Sequence, residues 1–125
     1  MRDVIATKEA PQAIGPYSQA IRANGFVFVS GQVAIDPATQ QFVAGNIAAQ
    51  TDRVIKNLVG ILKAAGSSLQ KVVRATVFLK NMDDFAAMNG VYGKHFSSAP
   101  PARSTVEVAR LPKDALVEID VIALT

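Results

Sequence analysis

The sequence predicts an α+β domain in which two helices pack on one face of a mixed β-sheet. Three observations support this fold class: a hairpin signal at Asn24-Gly25, apolar residues at helical spacing over residues 47–65, and a final strand, residues 116–124, that is apolar on both faces. The chain has 125 residues, of which 50% are hydrophobic and 18% are charged. This size and composition predict a single domain that spans residues 1–125.

The first part of the chain is predicted to form short antiparallel strands. The Asn24-Gly25 pair tolerates a positive φ at both positions, so it favours a two-residue hairpin turn in which Gln19 faces Ser30. This register places Tyr17 beside the Ser30-Gly31 end of the second strand. The predicted strands are residues 4–7, 17–23, 26–30 and, as a brief edge strand, 41–43, whereas residues 10–16 form a loop.

Two helices separated by one strand are predicted next. The first helix covers residues 47–65, with Asn46 as its N-cap and Gly66 as its stop signal. Residues 71–80 are rich in β-branched side chains and predict a strand. Asn81 then caps the second helix. The apolar stripe of this helix consists of Phe85, Met88, Tyr92 and Phe96.

Arg103 begins a short strand directly after Pro100-Pro101. Side chains alternate along a strand, so Arg103 shares a face with Thr105 and Glu107. One interpretation is a bidentate clamp for a substrate carboxylate, because the guanidinium group matches that anion in geometry. The other is a surface arginine or a structural ion pair with Glu107, a contact of modest worth. The residues alone leave both interpretations open.

Glu118 lies between Val117 and Ile119 in the final strand. Apolar surroundings disfavour the charged form of a carboxyl group, so its pKa rises and it becomes a candidate proton donor or acceptor near neutral pH. The alternative is a solvated glutamate beside Asp120. Because helices cover only one face of this strand, a partner subunit is the expected cover for its second apolar face.

Four further positions each have a functional and an ordinary interpretation. Asn89 is predicted on the buried face of the second helix, where its amide is satisfied either by backbone or at a pocket rim. Gly31, after Ser30, either lets a ligand approach the backbone or forms an ordinary bulge. Tyr17 either offers its hydroxyl to a ligand or packs its ring. His95, the only histidine, is expected at the end of the second helix rather than in a metal site.

The composition argues against several classes of function. Without cysteine the chain has no disulfides, thiolate metal sites or cysteine nucleophiles, which fits a cytoplasmic location. The net charge is +3, but Lys and Arg are scattered, so a nucleic-acid partner is not expected. The first residues lack the apolar core of a signal peptide, and no apolar run approaches the ~20 residues that a membrane span needs. Association with a membrane is therefore not expected.

Several motifs occur together along nearly the whole chain. In chain order they are Gly15-Pro16-Tyr17-Ser18-Gln19-Ala20, Val29-Ser30-Gly31-Gln32, Asn89 with Val91-Tyr92, Pro101-Ala102-Arg103-Ser104 and Val117-Glu118-Ile119. This combination resembles the RidA family, the reactive intermediate or imine deaminases that are also called the YjgF family. The signature around Arg103 is the most specific of the set.

The resemblance implies a chorismate-mutase-like fold assembled as a homotrimer with clefts between subunits. It also implies a 2-iminobutanoate or 2-iminopropanoate deaminase, which hydrolyses 2-imino and 2-enamino acids such as 2-aminoacrylate to 2-keto acids and ammonia without a cofactor. One alternative is a non-catalytic regulator that binds keto acids. Another is the endoribonuclease or translation-inhibitor activity described for some relatives, although the sequence offers no pair of histidines for RNA cleavage.

By the same resemblance, Arg103 binds the substrate carboxylate and Glu118 handles the attacking water. The residues implied to line the pocket are Tyr17, Ser30, Gly31 and Asn89. Many relatives have cysteine where this chain has Thr105, and the implied contact there is a backbone N–H, which threonine also supplies. If the last two strands formed a simple hairpin, Glu118 would lie about 13 Å from Arg103. The two residues are therefore expected to reach one substrate from different subunits.

Overall fold

A six-stranded mixed sheet and two helices make up the fold, as seen in a computed structural model that describes residues 1–125. The strands are β1 (Asp3–Ile5), β2 (Ala20–Ala23), β3 (Phe26–Gln32), β4 (Ile35–Asp36), β5 (Gln41–Phe42), β6 (Val72–Leu79), β7 (Ala102–Glu107) and β8 (Val117–Leu124). The helices are α1 (Ile47–Ala64) and α2 (Phe85–His95). This arrangement confirms the predicted α+β class.

The strand order in the sheet is β1-β2-β3-β8-β6-β7, and β4 pairs separately with β5. All neighbours are antiparallel except β6 and β7, which run parallel. A parallel pair needs a crossover connection, and α2 supplies it. Because β6 lies between β7 and β8, the last two strands do not form the hairpin considered from the sequence. The edge strand β7 therefore depends on β6 for its pairing.

The predicted hairpin register is confirmed. Ala23 pairs with Phe26, and the Ser30 backbone N–H donates to the Gln19 carbonyl at 2.9 Å. The strand limits differ where other contacts decide them. The chain turns at Gly15, whose carbonyl accepts the Tyr17 N–H, and β2 starts only at residue 20 rather than 17. Strand β3 continues to Gln32 rather than ending at residue 30, because Gln32 pairs with Ile119 of β8.

Helix α1 begins at residue 47, as predicted, and ends at Ala64, one residue before the predicted end. The Asn46 side chain accepts the Ala49 N–H at 2.9 Å, and Gly66 takes a φ of 78°. The Ser67 N–H then donates to the Leu62 carbonyl at 2.8 Å, which closes the helix end. The helix packs on β3 and β8 through a fully buried face made of Val54, Ile55, Leu58, Ile61 and Leu62. Burying each such side chain stabilises the fold by about 1.5–3 kcal/mol.

Helix α2 packs against α1, and His95 is its last residue, as predicted. His95 Nε2 lies 2.9 Å from Asp52 Oδ1 on α1, and Lys56 Nζ lies 2.9 Å from the other carboxylate oxygen. The pKa of Asp52 is held below its usual range mainly by the hydrogen bond from Lys56 and to a smaller extent by the one from His95. This cluster connects the two helices on the side of α1 that faces α2.

The 24 residues of the main core lie between the sheet and the helices. The opposite side of the sheet, here called the helix-free face, carries no helix. Several large apolar side chains are exposed on it, namely Phe26, Phe28, Val106 and Leu124. None of the helices combines the length and hydropathy needed to cross a membrane.

Candidate active site

A cleft of about 620 Å³ opens where β3 ends beside β8. It brings together Tyr17, Ser30, Gly31 and Glu118, which are four of the residues that the sequence singled out. Pro112 and Lys113, which belong to none of the candidate positions in the sequence, line the same cleft. Lys113 has a φ of 56°, an uncommon backbone conformation for a residue with a side chain.

Gly31 and Glu118 make the closest approach in this cleft. The ladder between β3 and β8 shifts register between Val29 and Gln32, so Gly31 lies in a bulge. A Cβ atom at position 31 would overlap the Glu118 carboxylate and lie 2.9 Å from its Cδ. The bulge that was the ordinary interpretation of Gly31 is present, and the missing side chain makes room for the Glu118 carboxyl group, a contact that the sequence did not predict.

Glu118 is half-buried and has no hydrogen-bond or ion-pair partner in the chain. Burial raises the pKa of Glu118, and the nearby negative charge of Asp120 raises it further. Burial also raises the pKa of Asp120, against the opposing effects of a hydrogen bond from Thr76 and the charge of Arg74. The expectation that Glu118 has a raised pKa is met, and the solvated-glutamate alternative does not fit its burial.

Substitution of Gly31 by alanine is expected to displace the Glu118 carboxyl group and reduce the deaminase activity that the family resemblance implies by about 100-fold, because a misplacement of about 1 Å has an effect of that size. The measurement is kcat/KM with freshly generated 2-aminoacrylate. Gly90→Ala is the matched control, since a Cβ there meets no atom within 4 Å. Wild-type activity in Gly31→Ala would show that the position of Glu118 does not matter.

The two hydroxyl-bearing residues of the cleft differ in their bonding. Ser30 Oγ donates to the Ser18 carbonyl at 2.6 Å, so its proton is already used and only its oxygen lone pairs face the cleft. Tyr17 is 53% exposed and makes no side-chain hydrogen bond. Its hydroxyl is therefore free to contact a ligand, whereas packing of the ring alone does not account for its exposure.

Arg103 occupies a different place, on β7 beneath α2. Its Cζ lies 4.7 Å from the ring centroid of Tyr92 and 5.7 Å from that of Phe85. The group is partly buried and has no carboxylate within 4.0 Å. Glu107, the ion-pair partner considered from the sequence, instead accepts the Met82 N–H at 2.8 Å. The guanidinium group is thus held by aromatic rings and left without a counter-ion.

Asn89 and Thr105 belong to the surroundings of Arg103 rather than to the cleft. Asn89 is half-buried on α2, with Phe85 one turn before it and Tyr92 one turn after it. Its amide has no hydrogen bond within the chain, so the backbone-satisfied alternative is not realised. Thr105 lies two residues from Arg103 on the same face of β7, and its Oγ1 is buried without a partner. Tyr92 and Phe85 were predicted only as core residues of the helix.

The sheet separates Arg103 from Glu118 within one chain. Arg103 aligns with Ala75, which is fully buried on the helix side, whereas Glu118 aligns with Phe78, which points to the helix-free face. Strands β7 and β8 are two strand spacings apart, and Arg103 and Glu118 are also offset by three residues along the strand direction. Their Cα atoms are therefore about 14 Å apart. One small substrate therefore cannot contact both side chains of a single chain.

No three His, Cys, Asp or Glu side chains come together as a possible metal site. The chemistry available in the cleft is that of one carboxyl group with a raised pKa, and the chemistry available beside α2 is that of one unpaired guanidinium group. The first suits proton transfer, and the second suits the binding of a carboxylate.

Comparison with known proteins agrees with the motifs. A family model described as Endoribonuclease L-PSP matches residues 7–125. A RutC family protein of Pyrococcus horikoshii is 54% identical over 123 residues, which cover 98% of this chain and 98% of that protein. Reactive Intermediate Deaminase A, chloroplastic, of Arabidopsis thaliana is 46% identical over 122 residues, which cover 98% of this chain and 65% of that protein.

The crystal structure of E. coli TdcF with bound serine has the same fold. Its TM-score is 0.94 at 40% identity, with 98% of each chain covered. The family model includes both helices and every strand after β1. The chain therefore belongs to the RidA family, also called the YjgF family, which its sequence motifs indicated.

Proposed function

We propose that this protein is a cofactor-independent deaminase that hydrolyses 2-imino and 2-enamino acids, such as 2-aminoacrylate, to 2-keto acids and ammonia. The observation that carries the proposal is that one chain presents two unsatisfied groups: the Arg103 guanidinium without a counter-ion and the Glu118 carboxyl with a raised pKa. A small substrate with a carboxylate next to a C=N bond needs both of these groups. The deaminase name of the Arabidopsis relative and the serine bound to TdcF support the same substrate class.

We further propose a homotrimer in which each active site lies between two subunits. Arg103 and Glu118 lie on opposite faces of the sheet, so a complete site needs a second copy of the chain. The helix-free face exposes Phe28 and Leu124, which a partner subunit would cover. The resemblance to the RidA family supports the assembly of three copies rather than two.

The mechanism follows from the chemistry of the two groups. Arg103 binds the substrate carboxylate through two parallel hydrogen bonds, aided by the backbone N–H of Thr105 in the same subunit and that of Gly31 in the adjoining subunit. The enamine takes up a proton at C3 and becomes the protonated imine, and Glu118 of the adjoining subunit takes a proton from water as the water oxygen bonds to C2 and the π electrons of the C=N bond move to nitrogen. Glu118 then returns this proton to the amine nitrogen of the carbinolamine, the C–N bond breaks as ammonia leaves, and the hydroxyl proton is lost to solvent as the C=O bond forms. Tyr17 closes the pocket over the substrate.

The test couples the protein to a serine or threonine dehydratase that produces the imine in the same vessel. A reagent that traps the imine reports its lifetime, and ammonia release reports its hydrolysis. The proposed function requires the protein to shorten the lifetime of the imine in proportion to its concentration. An unchanged lifetime, together with binding of the 2-keto acid, would instead indicate a non-catalytic keto-acid regulator.

The pH dependence of kcat/KM is expected to show an acidic limb set by Glu118. The base must be ionised to accept a proton from water, so activity is present above the pKa of Glu118 and lost as the pH falls through it. Because burial and Asp120 raise this pKa, the midpoint is expected above the usual range of a glutamate. The profile is measured after subtraction of the spontaneous rate, and an acidic limb at an ordinary glutamate pKa would contradict the assignment.

Endoribonuclease activity is the second candidate, and the description of the matching family model favours it. The single histidine, however, is bonded to Asp52 at the junction of the helices and lies outside the cleft. RNA cleavage that persists through stringent purification and disappears in Arg103→Ala would support this candidate.

A further inference from the structure

The position of Arg103 depends on an aromatic stack. The guanidinium Cζ lies 4.7 Å from the centroid of the Tyr92 ring, and Tyr92 in turn stacks on Phe96 with centroids 4.5 Å apart and an interplanar angle of 29°. Phe85 contacts the guanidinium from further away, at 5.7 Å. Arg103 has no hydrogen bond and no ion pair within the chain. Its direction is therefore set by the rings, of which Tyr92 is the nearer and the better supported.

The hydroxyl of Tyr92 has no evident structural purpose in the free chain. Tyr92 is only 5% exposed, and its hydroxyl oxygen is buried without a hydrogen-bond partner. Phenylalanine would fill nearly the same space and stack equally well without leaving a buried polar group unsatisfied. A buried unpaired hydroxyl next to a proposed binding group suggests that its hydrogen bond forms when the ligand binds.

Arginine can supply that partner. A guanidinium group has five N–H donors, and a bidentate carboxylate uses two of them. The other N–H groups need acceptors once a bound substrate excludes water from around Arg103. Burial raises the pKa of Tyr92, although the charge of Arg103 and the closeness of its N–H groups to the hydroxyl oppose the rise, so the hydroxyl stays neutral and faces the guanidinium with lone pairs that can accept an N–H.

We infer that Tyr92 is a positioning residue for Arg103, an inference that rests on the proposed function. The Tyr92 ring packs against the guanidinium group of Arg103. When a carboxylate is bound, the Tyr92 hydroxyl accepts one of the Arg103 N–H groups that the substrate does not use. These two contacts orient the guanidinium plane so that its other N–H groups point at the substrate carboxylate. Tyr92 contacts Arg103 and takes no part in proton transfer.

The experiment measures the Kd of pyruvate, a 2-keto acid product, by calorimetry. Tyr92→Phe is expected to weaken pyruvate binding about tenfold, the effect of losing one hydrogen bond to a charged group. Its thermal unfolding midpoint is expected to equal or exceed that of wild type, because the lost hydroxyl is unpaired in the free protein. Thr51→Val, which removes another buried unpaired hydroxyl on α1, is the matched control and should leave the Kd unchanged.

A double-mutant cycle separates positioning from other roles. Arg103→Lys keeps the positive charge but lacks the planar fork, so adding Tyr92→Phe to it should change the Kd by less than about twofold. A full tenfold loss in that background, or a fall in thermal midpoint that parallels the loss of affinity, would overturn the inference. If Arg103→Lys itself bound pyruvate as tightly as wild type, the carboxylate clamp of the proposed function would fail first. In turnover, Tyr92→Phe should raise KM and leave kcat nearly unchanged.

Discussion

Arg103→Ala is expected to reduce hydrolysis of 2-aminoacrylate to its spontaneous rate, a loss on the order of 100- to 1,000-fold in kcat/KM. The side chain is the proposed anchor of the substrate carboxylate, and no other arginine lies on that face of β7. The fold should survive, because Arg103 has no counter-ion that its removal would leave unpaired. The imine-trapping assay gives the rate, and thermal unfolding with size-exclusion chromatography reports the fold and assembly.

Arg110→Ala is the matched control for this loss. The side chain of Arg110 is 76% exposed and pairs only with Asp114, so its removal subtracts the same charge without touching either proposed group. Wild-type activity is expected in this variant. Retention of full activity in Arg103→Ala would disprove the clamp, and an equal loss in both variants would point to net charge rather than to a defined site.

Local signals in the sequence predicted the parts of the fold that depend on neighbouring residues. The Asn24-Gly25 turn fixes its hairpin register through backbone φ alone, and Asn46 and Gly66 fix the ends of α1 through their own hydrogen bonds and conformation. Long-range pairing is a different matter. The parallel pairing of β7 with β6 depends on how α2 packs against the rest of the fold. The alternation of side chains around Arg103 therefore predicted a strand but not that β6 lies between β7 and β8.

The same distinction explains which parts of the site were predictable. The raised pKa of Glu118 followed from its apolar neighbours in sequence. Gly31 stood out because it ends a strand, but its contact with the Glu118 carboxyl group was not predicted. Which face of the sheet each group occupies depends on the parallel register of Ala75 with Arg103, which no local pattern encodes. The inferred role of Tyr92 was hidden because a helical stripe of aromatic residues looks like an ordinary core.

The proposed division of the site between subunits leads to the second large effect. Glu118→Gln removes the proposed proton acceptor but keeps the shape of the side chain, so a trimer of this variant alone should be as inactive as one of Arg103→Ala. In a mixed trimer, however, an Arg103→Ala subunit still supplies an intact Glu118, and a Glu118→Gln subunit still supplies an intact Arg103. Wherever these two intact groups meet across an interface, a complete site is restored.

Mixing the two inactive variants, by unfolding and refolding them together at equal concentration, is therefore expected to recover about one quarter of the wild-type activity, because random assembly places the two intact side chains in about one site of every four. Separately refolded variants that are combined only in the assay are the control and should stay inactive as long as subunits do not exchange. If Arg103 and Glu118 served one substrate from the same chain, every mixed site would lack one of them and no activity would return. Recovery after joint refolding thus tests the separation of Arg103 from Glu118 by the sheet, since only a site shared between chains can turn two inactive proteins into an active one.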